Sequence, residues 1–277
     1  MGRGSTSRFF TGAYSLLRST GILETRWAAR AFVSSYFLYK RLWEDPFRGL
    51  VRRHPGIIGD GDVLDIGANV GYTACVFAAA LKPKRRVYAF EPDAAAFRTL
   101  TGVVERRKLS DSIVAVNAAV GANDGTVEFW HNADHAADHR VMTERFKARH
   151  AAATDVSRVE MVRVDSFVLA RGLENVSFIK IDVQGFEPAV CEGMAQTLAR
   201  FPDATVCCEY SPASFVELGF EAAAMLAFFA SRNYVPHILE RSGAASVVTR
   251  AAIESAAQAD GYVDLLFSQR ALGERSG

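Results

Sequence analysis

The chain has few cysteines, and none in a pattern that would bind metal or close a disulfide frame. Cys75, Cys191, Cys207 and Cys208 show no C-x-x-C spacing, and the last two are neighbours in an apolar run. They read as small core residues in a reducing compartment. Long hydrophobic runs are missing too: nothing approaches the roughly 18 uninterrupted apolar residues that span a bilayer. The N-terminal residues show no hydrophobic region followed by a small-residue cleavage site, so a cytoplasmic location is the expectation. Net charge is almost absent. With 32 Lys+Arg against 31 Asp+Glu, the molecule has no overall field that would argue for nucleic acid as a partner. What is present is a 277-residue chain that is 49% hydrophobic, enough for one large globular domain or two small ones and too apolar for disorder.

The balance of charge hides an uneven distribution. Residues 1–55 hold ten Lys/Arg against three acids, a net +7, which leaves the remainder at −6. Phe32, Tyr36, Tyr39 and Trp43 recur among those charges at helical spacing, so helices are expected here with one broad aromatic face. Residues 1–55 are therefore read as a basic helical extension and residues 56–277 as the main domain. The extension either caps that domain while its arginines stay solvated, or brings them to an anionic substrate or a peripheral membrane surface.

From Gly61 onward, short β-rich runs alternate with helical stretches. Val63–Ile66 and Arg86–Phe90 read as strands flanking a helix from Tyr72 to Leu81, a βαβ unit whose strands are parallel. Ala94–Lys108 is the next helix, and Ile113–Val120 is a strand that a turn at Gly121–Gly125 returns as Thr126–Trp130, a hairpin. Strands are expected at Glu160–Val168, Val176–Val183, Ala204–Glu209, Tyr234–Glu240 and Tyr262–Ser268. Helices are expected from Pro188 and over Ser214–Ser231. The alternation predicts an α/β fold built on one open, doubly wound sheet.

The most informative stretch is Asp65-Ile66-Gly67-Ala68-Asn69-Val70-Gly71-Tyr72-Thr73, a glycine-bearing turn between the first strand and its helix, where an open α/β sheet binds ligands. Glu91 ends the second strand 20 residues beyond Gly71, where an acid chelates the hydroxyls of a ribose. Both a dinucleotide and S-adenosylmethionine use such an acid. Asp65 favours the second, because a carboxylate at this turn opposes a pyrophosphate, whereas the sulfonium and amino groups of the methyl donor are cationic. Asn69 also stands where G-x-G-x-x-G requires its second glycine.

On these segments, together with Val87-Tyr88-Ala89-Phe90-Glu91-Pro92, Val116-Asn117-Ala118-Ala119-Val120-Gly121 and above all Ile179-Lys180-Ile181-Asp182-Val183-Gln184-Gly185-Phe186-Glu187, the chain resembles the FkbM family of S-adenosylmethionine-dependent methyltransferases. The resemblance covers about residues 60–210. It implies a class I methyltransferase, Rossmann-like sheet of seven strands with the last antiparallel, and methyl transfer to an oxygen, frequently a hydroxyl of a sugar or natural product. Carried over, it places Asp65, Gly67, Ala68, Asn69, Gly71, Tyr72 and Thr73 around the donor, Glu91 on its ribose, Asn117 near its adenine and Asp182 facing the transferred methyl. It implies no metal.

A sugar hydroxyl is a poor nucleophile, so a positioned base is expected. The candidates are Asp182, then Glu187 and Glu209; Asp182 serves either as that base or as a donor ligand alone. Lys180 is expected to pack or to pair with a carboxylate. Gln184, where many relatives carry Glu, can orient a hydroxyl but cannot take its proton. His131, His135 and His139 recur at i, i+4 and i+8 with Asp134 and Asp138 between them. The segment is read first as a polar lid in which His139 and Arg140 hydrogen-bond the acceptor, with a plain insertion or a metal site as the other readings. The function expected is O-methylation of a saccharide or glycoconjugate hydroxyl. A small-molecule acceptor and a silent cofactor-binding partner protein are the alternatives, and oligomerisation is left open.

Overall fold

The computed structural model describes residues 26–41, 45–132, 139–150, 155–270 and 272; Trp43, Asp134, His135 and Asp138 lie outside them. The chain opens with α1 (Arg26–Tyr39) and α2 (Phe47–Arg53), followed by β1 (Asp62–Ile66), α3 (Tyr72–Ala78), β2 (Val87–Phe90), α4 (Ala94–Arg106) and β3 (Ile113–Val116). Next come β4 (Ala119–Val120), β5 (Gly125–Trp130), β6 (Arg140–Val141), α5 (Glu144–Arg149), β7 (Val156–Val162) and α6 (Val164–Ala170). The second half runs β8 (Val176–Ile181), α7 (Glu187–Gly193), α8 (Ala195–Arg200), β9 (Thr205–Tyr210), α9 (Pro212–Leu218) and α10 (Ala224–Ala230). It finishes with β10 (Val235–Leu239), β11 (Ala245–Val247), α11 (Arg250–Asp260) and β12 (Val263–Ser268).

The main sheet has the order β11-β10-β12-β9-β8-β1-β2-β3. β1 pairs in parallel with β2 and β8, and β12 lies antiparallel between β9 and β10. The last strand is thus reversed, as the resemblance implies, and β11, itself antiparallel to β10, adds an eighth strand at the edge. Alternate residues of the central strands point to opposite faces. Leu64, Ile66, Phe90, Ile179 and Val206 join a core covered by α6 to α11, while Val63, Val87, Ala89, Phe178 and Cys207 join one covered by α2, α3 and α4. Burial on both faces is why β1 is apolar throughout except at Asp62 and Asp65. Cys191, Cys207 and Cys208 are buried free thiols.

A second, four-stranded sheet has the order β4-β7-β5-β6. The expected hairpin between residues 113–120 and 126–130 does not form. Its first arm splits into β3 in the main sheet and β4 in the small one, and β7 enters between β4 and β5. The expected strand at 160–168 also ends early, because Val164, Phe167 and Val168 form the buried stripe of α6. Gly219, at φ +96°, divides the helix expected over 214–231 into α9 and α10. The small sheet lays Phe129, Val141 and Phe146 on Phe186, Ala189 and Leu218, beside the loop that follows β8.

In the N-terminal segment, α1 buries Val33, Phe37 and Tyr39. Phe37 meets the ring of Tyr72 edge-on at 5.1 Å, with Val70 and Val103 in the same cluster. Of the expected aromatic face, Tyr39 is buried and Tyr36 packs half-buried against this cluster, with Val33 and Phe37 as its centre. Among the described residues no helix is long and apolar enough to cross a membrane.

Candidate active site

Three strand tips converge at the turn after β1. Gly67 and Ala68 donate their amides to the Phe90 carbonyl of β2, at 3.1 and 2.9 Å, and Asp182 donates its amide to the Ile66 carbonyl at 3.1 Å. The turn then needs left-handed backbone at Gly67 (φ +78°), Asn69 (φ +49°) and Gly71 (φ +85°). Asn69 can take the place of a glycine there because asparagine tolerates that region better than most side chains.

Asp65 is fully buried. Its Oδ2 accepts from the Thr73 hydroxyl at 2.6 Å, and Lys180 Nζ stands 3.6 Å from its Oδ1. The two residues are register partners on parallel strands and so project from the same face. Lys180 Nζ also donates to the Gly67 carbonyl at 2.8 Å and lies 3.4 Å from Asp182 Oδ2. Asp65 therefore does not present its charge at the pocket mouth, as the sequence led us to expect, but braces the turn from beneath. Burial raises its pKa against the opposing charge of Lys180.

Asp182 is the carboxylate that opens outward, with its side chain 41% exposed. Burial of its surroundings pushes its pKa up, but the charges of Lys180 and Lys40 and a hydrogen bond from Gln184 outweigh this and hold it below the usual carboxylate range. Gln184 Nε2 donates to Asp182 Oδ1 at 2.9 Å, from a residue itself at φ +57°. The amide at this position thus orients Asp182. Lys180, for its part, is stabilised in its charged form, since Asp182 and Asp65 outweigh the cost of burying it.

The other expected residues are placed as follows. Glu91 accepts from the amides of Asn69 (2.8 Å) and Asp93 (2.9 Å), and burial pushes its pKa up to about 7. Asn117 donates to the Glu91 and Pro92 carbonyls and so fixes the tip of β2. The Tyr72 hydroxyl donates to Asp45 Oδ2 at 2.7 Å, which ties α3 to the N-terminal helices. Glu209 lies opposite Asp264, and burial together with the charges of Asp182, Glu187 and Asp264 raises its pKa well above the ordinary carboxylate range. His139 meets Asp93, His131 and Phe129 beside the tip of β2. His131 and His139 stand on two arms of the small sheet, just after β5 and just before β6, and not one above the other on a helix. Lys40, which pattern reading passed over, acts on Asp182 through its charge because α1 folds across α3, an approach no local signal announces.

Glu187 is 1% exposed and accepts from the amides of Val183 (2.8 Å) and Gly185 (2.9 Å). Its carboxylate is committed to the loop that carries Gln184. Glu187→Ala strands both amides and is expected to cost about 3 kcal/mol, a loss of roughly 6–12 °C in Tm by calorimetry. Burial also lifts its pKa to about 7, as for Glu91. Both groups favour the fold below their ordinary value of 4.5, and that contribution is lost as the pH rises through about 7. The ligand-free chain should melt at a higher temperature near pH 5 than near pH 8. Asp93 and Asp182, held low, leave that window unaffected.

Residues 65–236, more than half of the chain, match the model of the methyltransferase FkbM domain. The 2-O-methyltransferase NoeI of Sinorhizobium fredii (strain NBRC 101917 / NGR234) is 31% identical over an alignment covering 51% of this chain and 60% of that protein. The chain thus matches less than two thirds of the length of that relative. Among solved structures, the methyltransferase FkbM from Methylobacillus flagellatus KT aligns with 83% of this chain and 52% of that one, at 13% identity and a TM-score of 0.47. The O-methyltransferase from Bacillus cereus in complex with SAH aligns with 94% and 98%, at 13% identity and a TM-score of 0.46. These structural alignments are loose; the family model spans the turn after β1, the tip of β2 and the loop after β8, and by that match the chain belongs to the FkbM methyltransferase domain family.

Proposed function

We propose that the protein transfers a methyl group from S-adenosylmethionine to a hydroxyl of a saccharide or glycoconjugate. The observation that carries this is the outward-facing carboxylate of Asp182, held ionised at the tip of β8 beside the Gly67–Gly71 turn. A cationic methyl donor is attracted to that position, and a pyrophosphate is repelled. Glu91 has both oxygens fixed by amides and accepts the ribose hydroxyls on its remaining lone pairs.

Methyl transfer from a sulfonium is an in-line displacement, so the chain mainly aligns the acceptor oxygen with the S–CH3 bond. As the new C–O bond forms, the hydroxyl oxygen becomes oxonium-like and its proton strongly acidic, so a carboxylate of low pKa suffices to accept it. Asp182 meets that need. Glu209, whose pKa burial and neighbouring carboxylates raise, and Glu187, committed to loop amides, do not. The small sheet brings Trp130 into the cluster that holds Val183 and Phe186 of this loop, while Arg140 of β6 and His150 at the end of α5 share the Glu217 carboxylate of α9. Aromatic and hydrogen-bonding groups of this kind suit a polyhydroxylated acceptor.

In this reading α1 and α2, the described helices of the basic segment 1–55, cap the domain at 56–277. The exposed Arg41, Arg48, Arg52 and Arg53 favour an acceptor with an anionic carrier. The test is a calorimetric titration with S-adenosylmethionine, followed by donor turnover with candidate glycans. Because burial sets Glu91 at about 7, donor affinity is expected to fall as the pH drops below that value, approaching tenfold per pH unit. Glu91→Gln should bind weakly at every pH with the slope abolished. Binding of a nicotinamide dinucleotide in place of the methyl donor would overturn the proposal.

A further inference from the structure

Beside the tip of β2, outside the groups used above for methyl transfer, two imidazoles and a carboxylate converge. Asp93 caps α4 with Oδ1, which accepts from the amides of Ala95 and Ala96 at 3.0 and 2.7 Å. Its Oδ2 faces His131 Nδ1 at 3.0 Å and His139 Nε2 at 4.0 Å. All three side chains are nearly enclosed, at 5%, 12% and 9% exposure. Phe129 turns its edge to both rings.

The geometry between Asp93 and His131 is not that of a hydrogen bond. His131 Nδ1 is buried and has no aligned partner despite its short distance to Oδ2. Its Nε2 lies 2.7 Å from the Ser157 hydroxyl; when that nitrogen is the donor, Nδ1 presents a bare lone pair beside a carboxylate oxygen. Two acceptors so placed repel each other unless a cation, a proton on Nδ1 or a metal ion, lies between them, and the misaligned contact is a poor fit to the proton. Donors about 2.0–2.1 Å from a tetrahedral ion stand roughly 3.4 Å from one another, a value that the observed 3.0 and 4.0 Å bracket.

We propose that Asp93, His131 and His139 bind a divalent transition-metal ion of the zinc class. Two imidazoles and one carboxylate are a donor set for such an ion, with water completing the coordination. Ser157 holds His131 from behind, as outer groups hold metal-ligating histidines. One local change accompanies coordination: the Asn132 amide, which donates to His139 Nδ1 at 3.0 Å, releases that nitrogen so that it carries the ring proton and frees Nε2. The ion fastens the end of β5 and the start of β6 to the N-cap of α4, two residues beyond Glu91.

The test reads metal content, which is independent of donor binding and turnover. The full chain, stripped with a chelator and dialysed against zinc, should retain about one ion per chain by mass spectrometry. Titration with cobalt(II) should give the visible bands of a four-coordinate site, abolished by excess zinc. His131→Asn and His139→Gln should each weaken zinc binding by more than tenfold, and Ser157→Ala, which keeps every ligand, by about 10- to 100-fold. Wild-type protein that shows no such cobalt bands overturns the proposal without recourse to variants. Equal retention of zinc by the wild type and the folded variants, which marks an adventitious ion only, does so as well.

Discussion

Asp182→Ala is expected to lower kcat by about 10²- to 10⁴-fold with the fold retained. The backbone at this position belongs to the β1–β8 ladder, through the Asp182 amide and the Ile66 carbonyl, and the side chain is the exposed end of the cluster, so its removal opens no core cavity. It leaves Lys180 paired with Asp65 and the Gly67 carbonyl. The turn that holds the donor therefore stays braced. What disappears is the group that accepts the hydroxyl proton. Asp182→Asn separates the two readings of this residue. As a base, Asp182 cannot be replaced by an amide, and kcat at saturating donor falls as in the alanine variant, beyond any rise in donor Kd that the lost charge brings. As a ligand of the donor alone, its loss would raise the donor Kd and leave kcat near the wild-type value once donor is saturating, an outcome that removes Asp182 from proton transfer.

The parts of this site that sequence reading found are those whose cause is local. The β1–turn–α3–β2 unit was legible because an apolar run, two glycines and a second apolar run follow within one supersecondary motif. The role of Asp65 was not legible in the same way. Its position in the chain suggested an open pocket mouth, while its neutralising partner arrives from β8, more than a hundred residues away, through a cross-strand register that exists only once the sheet has formed. The same holds for the failed hairpin. Asn123-Asp124-Gly125 is a good turn signal, but β7 joins β5 along its whole length and places itself between β4 and β5. The stretch at 164–168 misled for another reason. Its β-branched residues suit a strand, yet their spacing places one stripe on a helix that buries Phe167 against Tyr88 and Phe90. The histidines at 131 and 139 do meet, as their pattern hinted, but across two β-arms and with Asp93 as the third member.

Gly67→Ala should be among the most damaging single-methyl changes at the described glycines. Two costs add at this position. The backbone sits at φ +78°, where a side chain costs about 1 kcal/mol, and a Cβ there would overlap the Asp182 carbonyl oxygen. The first cost is tolerable; the second cannot be relieved by rotating a side chain, because the obstacle is the backbone immediately after β8. The strand tips must separate, and with them go the Lys180 bond to the Gly67 carbonyl and the aim of Asp182. A misplacement of about 1 Å in such a site costs on the order of 10²-fold in rate, and donor affinity should fall with it. Gly172→Ala supplies the control. That glycine also has a positive φ, +62°, but nothing lies within 4 Å of the added methyl, so only the backbone cost of about 1 kcal/mol applies. Thermal unfolding and donor titration of the two variants isolate the close approach of β1 and β8. If Gly67→Ala loses no more stability than Gly172→Ala and binds the donor as the wild type does, the tight joint between these strands is not what positions Asp182.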